Sequence, residues 1–242
     1  MFTKTSTQKS WKAMTAIGFL LMTAMGATAF ASKGLIQDRR VTLTQAQAMA
    51  TKAESDSGFP IVVNELVLKQ LNRYMGTPEG REFMRNSLER MQNYKTGIAE
   101  ILKKYGVPEE ILAVPLIESG YKNMTEQDSN TPAKAAGLWQ FIPSTARVFE
   151  MTVDDQRDDR LDVPVETDAA ARYLQSNRLR FNDWQLSVLA YNMGEKAVQQ
   201  AIDATGSRDV WYLIRHGYEG DRDYLAKLMA AILIMKNPET LN

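Results

Sequence analysis

From Val62 to the C-terminus the apolar residues recur at helical spacing, and the runs close on glycine or an Asn-Pro pair. No alternating strand pattern of any length interrupts them. Upstream, "VVNELVLKQLNRYM" places Leu66, Leu71 and Tyr74 on one face, and "REFMRNSLERMQNYKTGIAEILKKYG" does the same with Phe83, Leu88, Met91, Ile98 and Leu102. Downstream follow "PVETDAAARYLQSNRLRF", "DWQLSVLAYNMG", "EKAVQQAIDATG", "SRDVWYLIRHG" and "DRDYLAKLMAAILIMKN". Residues 120–141 break this rhythm with turn-formers, and Pro143 restarts a helix with its fixed φ. The expected fold is all-α or nearly so, with a loop or short hairpin over 120–141.

Within 242 residues, 44% apolar content suffices for one main domain. The chain has no cysteine and one histidine, His216, which removes disulfides, thiol nucleophiles, Cys/His zinc sites and histidine triads. His216 itself reads as the end of a helix, with Arg215 before it and Gly217 after it. Catalysis must therefore lean on carboxylates. Lys plus Arg and Asp plus Glu both total 29, so no overall field draws the chain to nucleic acid.

At the N-terminus, Lys4, Lys9 and Lys12 precede an uncharged run whose apolar centre, "AIGFLLMTAM", gives way to the small-residue site "AFA" ending at Ala31. Residues 1–31 read as a cleaved signal peptide and the protein as periplasmic or secreted, an uncleaved anchor being the alternative. No cysteine follows for lipid attachment. Residues 32–64 read as a polar extension in which "LTQAQAMATKAES" is suited to a short helix, and 65–242 as the main domain. Because the sequence ends at Asn242, targeting is expected from the domain itself, from 32–64 or from another protein.

In "VPEEILAVPLIESGY", Pro108 suits a first helical turn and Glu109 and Glu110 face the positive end of the helix. Ile111, Leu112, Val114, Leu116 and Ile117 cover the helix nearly all round, so it should be buried, with Pro115 as its kink. Glu118 breaks that apolar pattern at the C-terminal end. Burial and the negative helix pole would both raise its pKa, which suits a general acid; a solvated acid at a helix end is the bland alternative.

Three motifs in order resemble the lytic transglycosylases with a goose-type-lysozyme-like domain, above all the membrane-bound D-type murein transglycosylases: "ESGY" at 118–121, "GLWQFIPSTA" at 137–146 and "AYNMGEKAV" at 190–198. The resemblance spans roughly residues 65–236 and is sharpest from about 98 onward. It implies a lysozyme-like helical domain acting on peptidoglycan glycan strands, without metal or cofactor. Glu118 matches the single catalytic acid, and Ser119 the hydroxyl residue beside it. Gly137 and Gln140 match a loop lining the glycan groove, where an absent side chain would admit a sugar to the backbone and an amide would bond it. Tyr191 and Asn192 match a pair beside the acid, and Tyr224 a tyrosine of the last helix directed at the groove. Phe141 and Ile142 read as core, whereas Trp139 suits either core or groove.

Met193 stands where the family carries alanine, and its larger side chain would narrow or re-aim the rim. Gly220 stands where a Glu is common, with Glu219 one place off, and Thr131 replaces a frequent Ser. The acids of "DDQRDDRLD" alternate with Arg157 and Arg160 and read as a solvated loop of local ion pairs and helix caps. They fail the EF-hand pattern, with Asp159 at the glycine position and Val165 at the glutamate position.

The resemblance implies that Glu118 protonates the glycosidic oxygen between MurNAc and GlcNAc and later removes a proton from the C6 hydroxyl, giving 1,6-anhydroMurNAc. A hydrolytic lysozyme of the same fold, a non-catalytic glycan-binding module and a chitin-type substrate stay open at this stage.

Overall fold

The periodicities become eleven α-helices among the described residues of the computed structural model, which are 39–54, 57–128, 133–220 and 223–242. The expected signal segment 1–31 and Thr131 lie outside them. In order the helices are α1 (Leu43–Glu54), α2 (Glu65–Met75), α3 (Pro78–Met91), α4 (Lys95–Lys104), α5 (Ala113–Glu118), α6 (Pro143–Val148), α7 (Val163–Phe181), α8 (Trp184–Met193), α9 (Glu195–Thr205), α10 (Val210–Arg215) and α11 (Tyr224–Lys236). Short 3-10 turns lie at Glu109–Leu112, Asp159–Leu161 and Pro238–Leu241.

Starts and stops follow side-chain chemistry. Asn64, Thr77, Asp162, Asp183 and Asp209 each accept a backbone N–H from the first turn that follows, a device worth about 1 kcal/mol per helix. Asn182 ends α7 in the left-handed conformation and Asp183 caps α8 at once, so these two helices fold back on each other. His216 closes α10, and Gly217 follows at φ +81°, as its sequence foretells.

The core is organised around α11. Every residue from Tyr224 to Ile234 is buried, and the helix packs against α1, α2, α5 and α8. A helix apolar on nearly every side, Lys227 being the exception, belongs inside the domain. None of the described helices is long and apolar enough to cross a membrane.

Two expectations change, and a third resolves to one of its alternatives. Residues 109–118 are not one kinked helix: a 3-10 turn precedes a six-residue α5, and Pro115 falls in the first turn of α5, where a missing N–H costs nothing. The field at the C-terminal end of α5 is thus that of a short helix. The segment 43–54 is more than a polar extension, because Ala46, Met49, Ala50 and Ala53 pack into the core and Asn237 donates to the Met49 carbonyl. Among the described residues of the 120–141 loop there is no hairpin ladder; single bridges, Met124 with Gly137 and Ala136 with Phe141, fasten it instead.

Candidate active site

Glu118 is the last residue of α5, half-buried, behind Val114, Leu116 and Ile117. The Tyr224 hydroxyl donates to Glu118 Oε1 at 2.8 Å. Tyr224 is the first residue of α11 and only 2% exposed, so the central helix delivers a fixed donor to the carboxyl. The structure thus brings these two positions, far apart in the sequence, into direct contact.

Ser119 is buried. Its Oγ donates to the Leu138 carbonyl at 2.9 Å, which binds the end of α5 to the 137–140 segment. That segment is tied a second time from α8: the Tyr191 hydroxyl donates to the Trp139 carbonyl at 2.7 Å. Burial pushes the Tyr191 phenol well above its ordinary pKa, and the carboxyls of Glu118 and Glu166 push it further, so it remains a neutral donor. Phe141 meets the Tyr191 ring edge-on and Tyr173 lies against it at a tilt, which fixes the ring plane. Asn192 follows in the last turn of α8, half-buried.

Gln140 adopts φ +53°, and its Nε2 donates to the Gly137 carbonyl at 2.8 Å, closing a tight local turn. Trp139 is core: it is fully buried and its Nε1 donates to Thr167 Oγ1 at 2.9 Å. Phe141 is buried and Ile142 half-buried.

Gly137 requires a correction. It is buried at φ +82°, and a Cβ there would lie 2.0 Å from the Arg160 carbonyl oxygen and 2.1 Å from Glu166 Oε2. The absent side chain makes room for a protein carboxylate, not for a sugar.

Two residues of this support escape sequence reasoning. Glu166, fully buried in the first turn of α7, accepts the Leu138 N–H on Oε1 at 2.9 Å and the Trp139 N–H on Oε2 at 3.2 Å. Burial raises its pKa well above the ordinary carboxyl value; the two N–H donors oppose this, and Asp162 and Asp158 add to it. Arg160 was expected in a solvated loop but is fully buried, pairing with Asp158 and Glu126 and donating to the Lys134 and Phe141 carbonyls. Asp159 is buried too, accepting from Thr152 N and pairing with Arg157. The expected local pairs and caps are present, since Asp158 and Asp162 cap the helical turns that follow them.

The departures also have places. Met193 packs half-buried against the core, and Glu219 accepts the Asp223 N–H at 3.1 Å, bracing the entry to α11.

Residues 95–214 match the family model described as the transglycosylase SLT domain. The chain is similar to membrane-bound lytic murein transglycosylase D of Escherichia coli (strain K12), with 31% identity over 179 residues, which are 72% of this chain and 38% of that protein. The protein of the same name from E. coli O6:H1 (strain CFT073 / ATCC 700928 / UPEC) is similar to the same extent. The chain thus spans well under half the length of these relatives.

Proposed function

The chain belongs to the transglycosylase SLT domain family, and on that premise we propose that it is a peptidoglycan lytic transglycosylase with Glu118 as its single acid and base. The observation that carries this reading is the Glu118 carboxyl itself, seated at the end of an apolar helix and oriented by the Tyr224 hydroxyl at 2.8 Å.

Glu118, as the neutral acid, gives its proton to the oxygen linking MurNAc to GlcNAc, and the C1–O bond breaks. The MurNAc N-acetyl oxygen bonds to C1 in its place. The Glu118 carboxylate then takes the C6 hydroxyl proton, O6 closes on C1, and the N-acetyl oxygen leaves. The product is 1,6-anhydroMurNAc, no water is added, and Glu118 ends as it began.

Two-carboxylate glycosidases need a second acid facing the sugar, about 5–9.5 Å from the first. Glu166, the other carboxyl that acts on Tyr191, is fully enclosed and occupied by two backbone N–H groups. Its confinement favours a mechanism in which the substrate supplies the second function. We read residues 1–31 as the export signal that brings the domain to peptidoglycan in the cell envelope.

Digestion of purified sacculi by the mature protein tests this directly. The soluble fragments should weigh one water less than reducing-end muropeptides, and Glu118→Gln should release none. Reducing-end products would make the protein a hydrolase, and release by the Gln variant would remove Glu118 from its role.

A further inference from the structure

The backbone of Leu138 and Trp139 is held on both edges. Their N–H groups point to the two oxygens of Glu166, and their carbonyls accept from Ser119, the neighbour of Glu118, and from Tyr191. Gly137 is the one residue type that lets Glu166 approach, because any Cβ would overlap Oε2. The next residue, Gln140, hangs from this strip through its bond to the Gly137 carbonyl.

A carboxylate enclosed at 0% exposure is an expensive acceptor for two buried N–H groups, since a neutral acceptor would satisfy them without burying a charge. From this geometry we infer that Glu166 is a positioning residue: its ionised carboxylate sets the Leu138 and Trp139 peptides, and through them Ser119, Tyr191 and Gln140, around Glu118. This rests on the reading of Glu118 as the reacting acid.

The physical route is short. Each N–H bonded to a carboxylate polarises its peptide group, and hydrogen bonds in series strengthen one another. Protonation of Glu166 removes the charge from both bonds and leaves one N–H facing a hydroxyl oxygen, a poorer acceptor, so that bond weakens. The charged groups around that event are Asp158 and Asp162 before α7, Arg160 with its guanidinium tied to Asp158 and Glu126, and the Tyr191 phenol from α8. Burial and the two acids favour the protonated form, which brings the transition above the ordinary carboxyl range.

The test compares the full chain with Glu166→Gln, Tyr191→Phe, the double variant and Glu118→Gln on soluble glycan strands, with folding checked by circular dichroism. The Glu166→Gln protein should lose about a hundredfold in kcat, as expected for misplacement of about 1 Å, with KM changed by less than about threefold. The double variant should be no slower than the slower single one, because both fix the backbone of Trp139, one at its N–H and the other at its carbonyl. Wild-type kcat in Glu166→Gln, or additive losses in the double variant, overturns the inference. Should Glu166→Gln not fold, titration of the native protein by NMR decides: the Glu166 carboxyl, the Leu138 and Trp139 amides and the acid side of the kcat profile must share one midpoint, and a kcat indifferent to that proton overturns it. An inert Glu118→Gln beside a full-rate Glu166→Gln sinks this inference alone, whereas an active Glu118→Gln sinks the functional reading.

Discussion

The hydroxyl of Tyr224 and the carboxyl of Glu118 lie 2.8 Å apart, joining the first residue of α11 to the last residue of α5. The two positions are 106 residues apart in sequence. They meet because α5 packs on the buried α11, so the acid is oriented from the centre of the core.

Replacing Tyr224 with Phe keeps the ring and removes the donor. As Glu118 gives up its proton the bond becomes one to a charged group, worth about 1.5–3 kcal/mol, so kcat should fall about tenfold to a hundredfold. Steady-state turnover of glycan strands measures this, and an unchanged kcat would show that the bond has no part in the reaction.

At Gly137 an Ala substitution must clear both the Arg160 carbonyl and the Glu166 carboxylate, at a φ of +82° that side chains rarely adopt. The expected cost is about 3 kcal/mol or more, read as a drop in the urea midpoint. A midpoint near wild type would mean that the segment can shift without penalty.

Glu166 makes stability depend on pH with a definite sign. Its folded pKa is raised, so between the unfolded value of about 4.3 and the folded one the native state holds more protons than the unfolded state. Its contribution is therefore fully present below that window, is lost as pH rises through it, and is level above. Urea unfolding at a series of pH values should show wild type losing stability relative to Glu166→Gln across the window. A difference constant with pH would show that Glu166 has the same pKa in both states.

Arg160→Met retains the length of the stem and discards the charge. Asp158 and Glu126 then lose their partner, and the Lys134 and Phe141 carbonyls lose a donor. Breaking such a pair costs about 3 kcal/mol, the lower end of the usual range because both acids retain some contact with water. Chemical denaturation provides the check, and a loss under about 1 kcal/mol would demote the cluster to the weight of a surface pair.

Much of the helical layout was legible because period and punctuation agree: Asp183 after Asn182, Gly217 after His216 and Pro143 at the start of α6 each act through local chemistry. Glu118 stood out because an acid interrupts an apolar run. Glu166 could not stand out in that way. An acid in a first helical turn after proline suits the helix dipole anyway, and its N–H partners lie 27 and 28 residues upstream. Arg160 was hidden for a related reason, since alternating charges read as solvated until the fold encloses one of them. The sole hint of either residue was the glycine at 137, and sequence alone does not say what its open space receives.

That shared space makes positions 137 and 166 a single decision for anyone redesigning the loop. Shortening the acid without revisiting the glycine leaves a void, and bulking the glycine without shortening the acid leaves a collision. A library built to accept a different polysaccharide would do better to mutate the two codons together, with Gln140 allowed to vary only after that pair is settled.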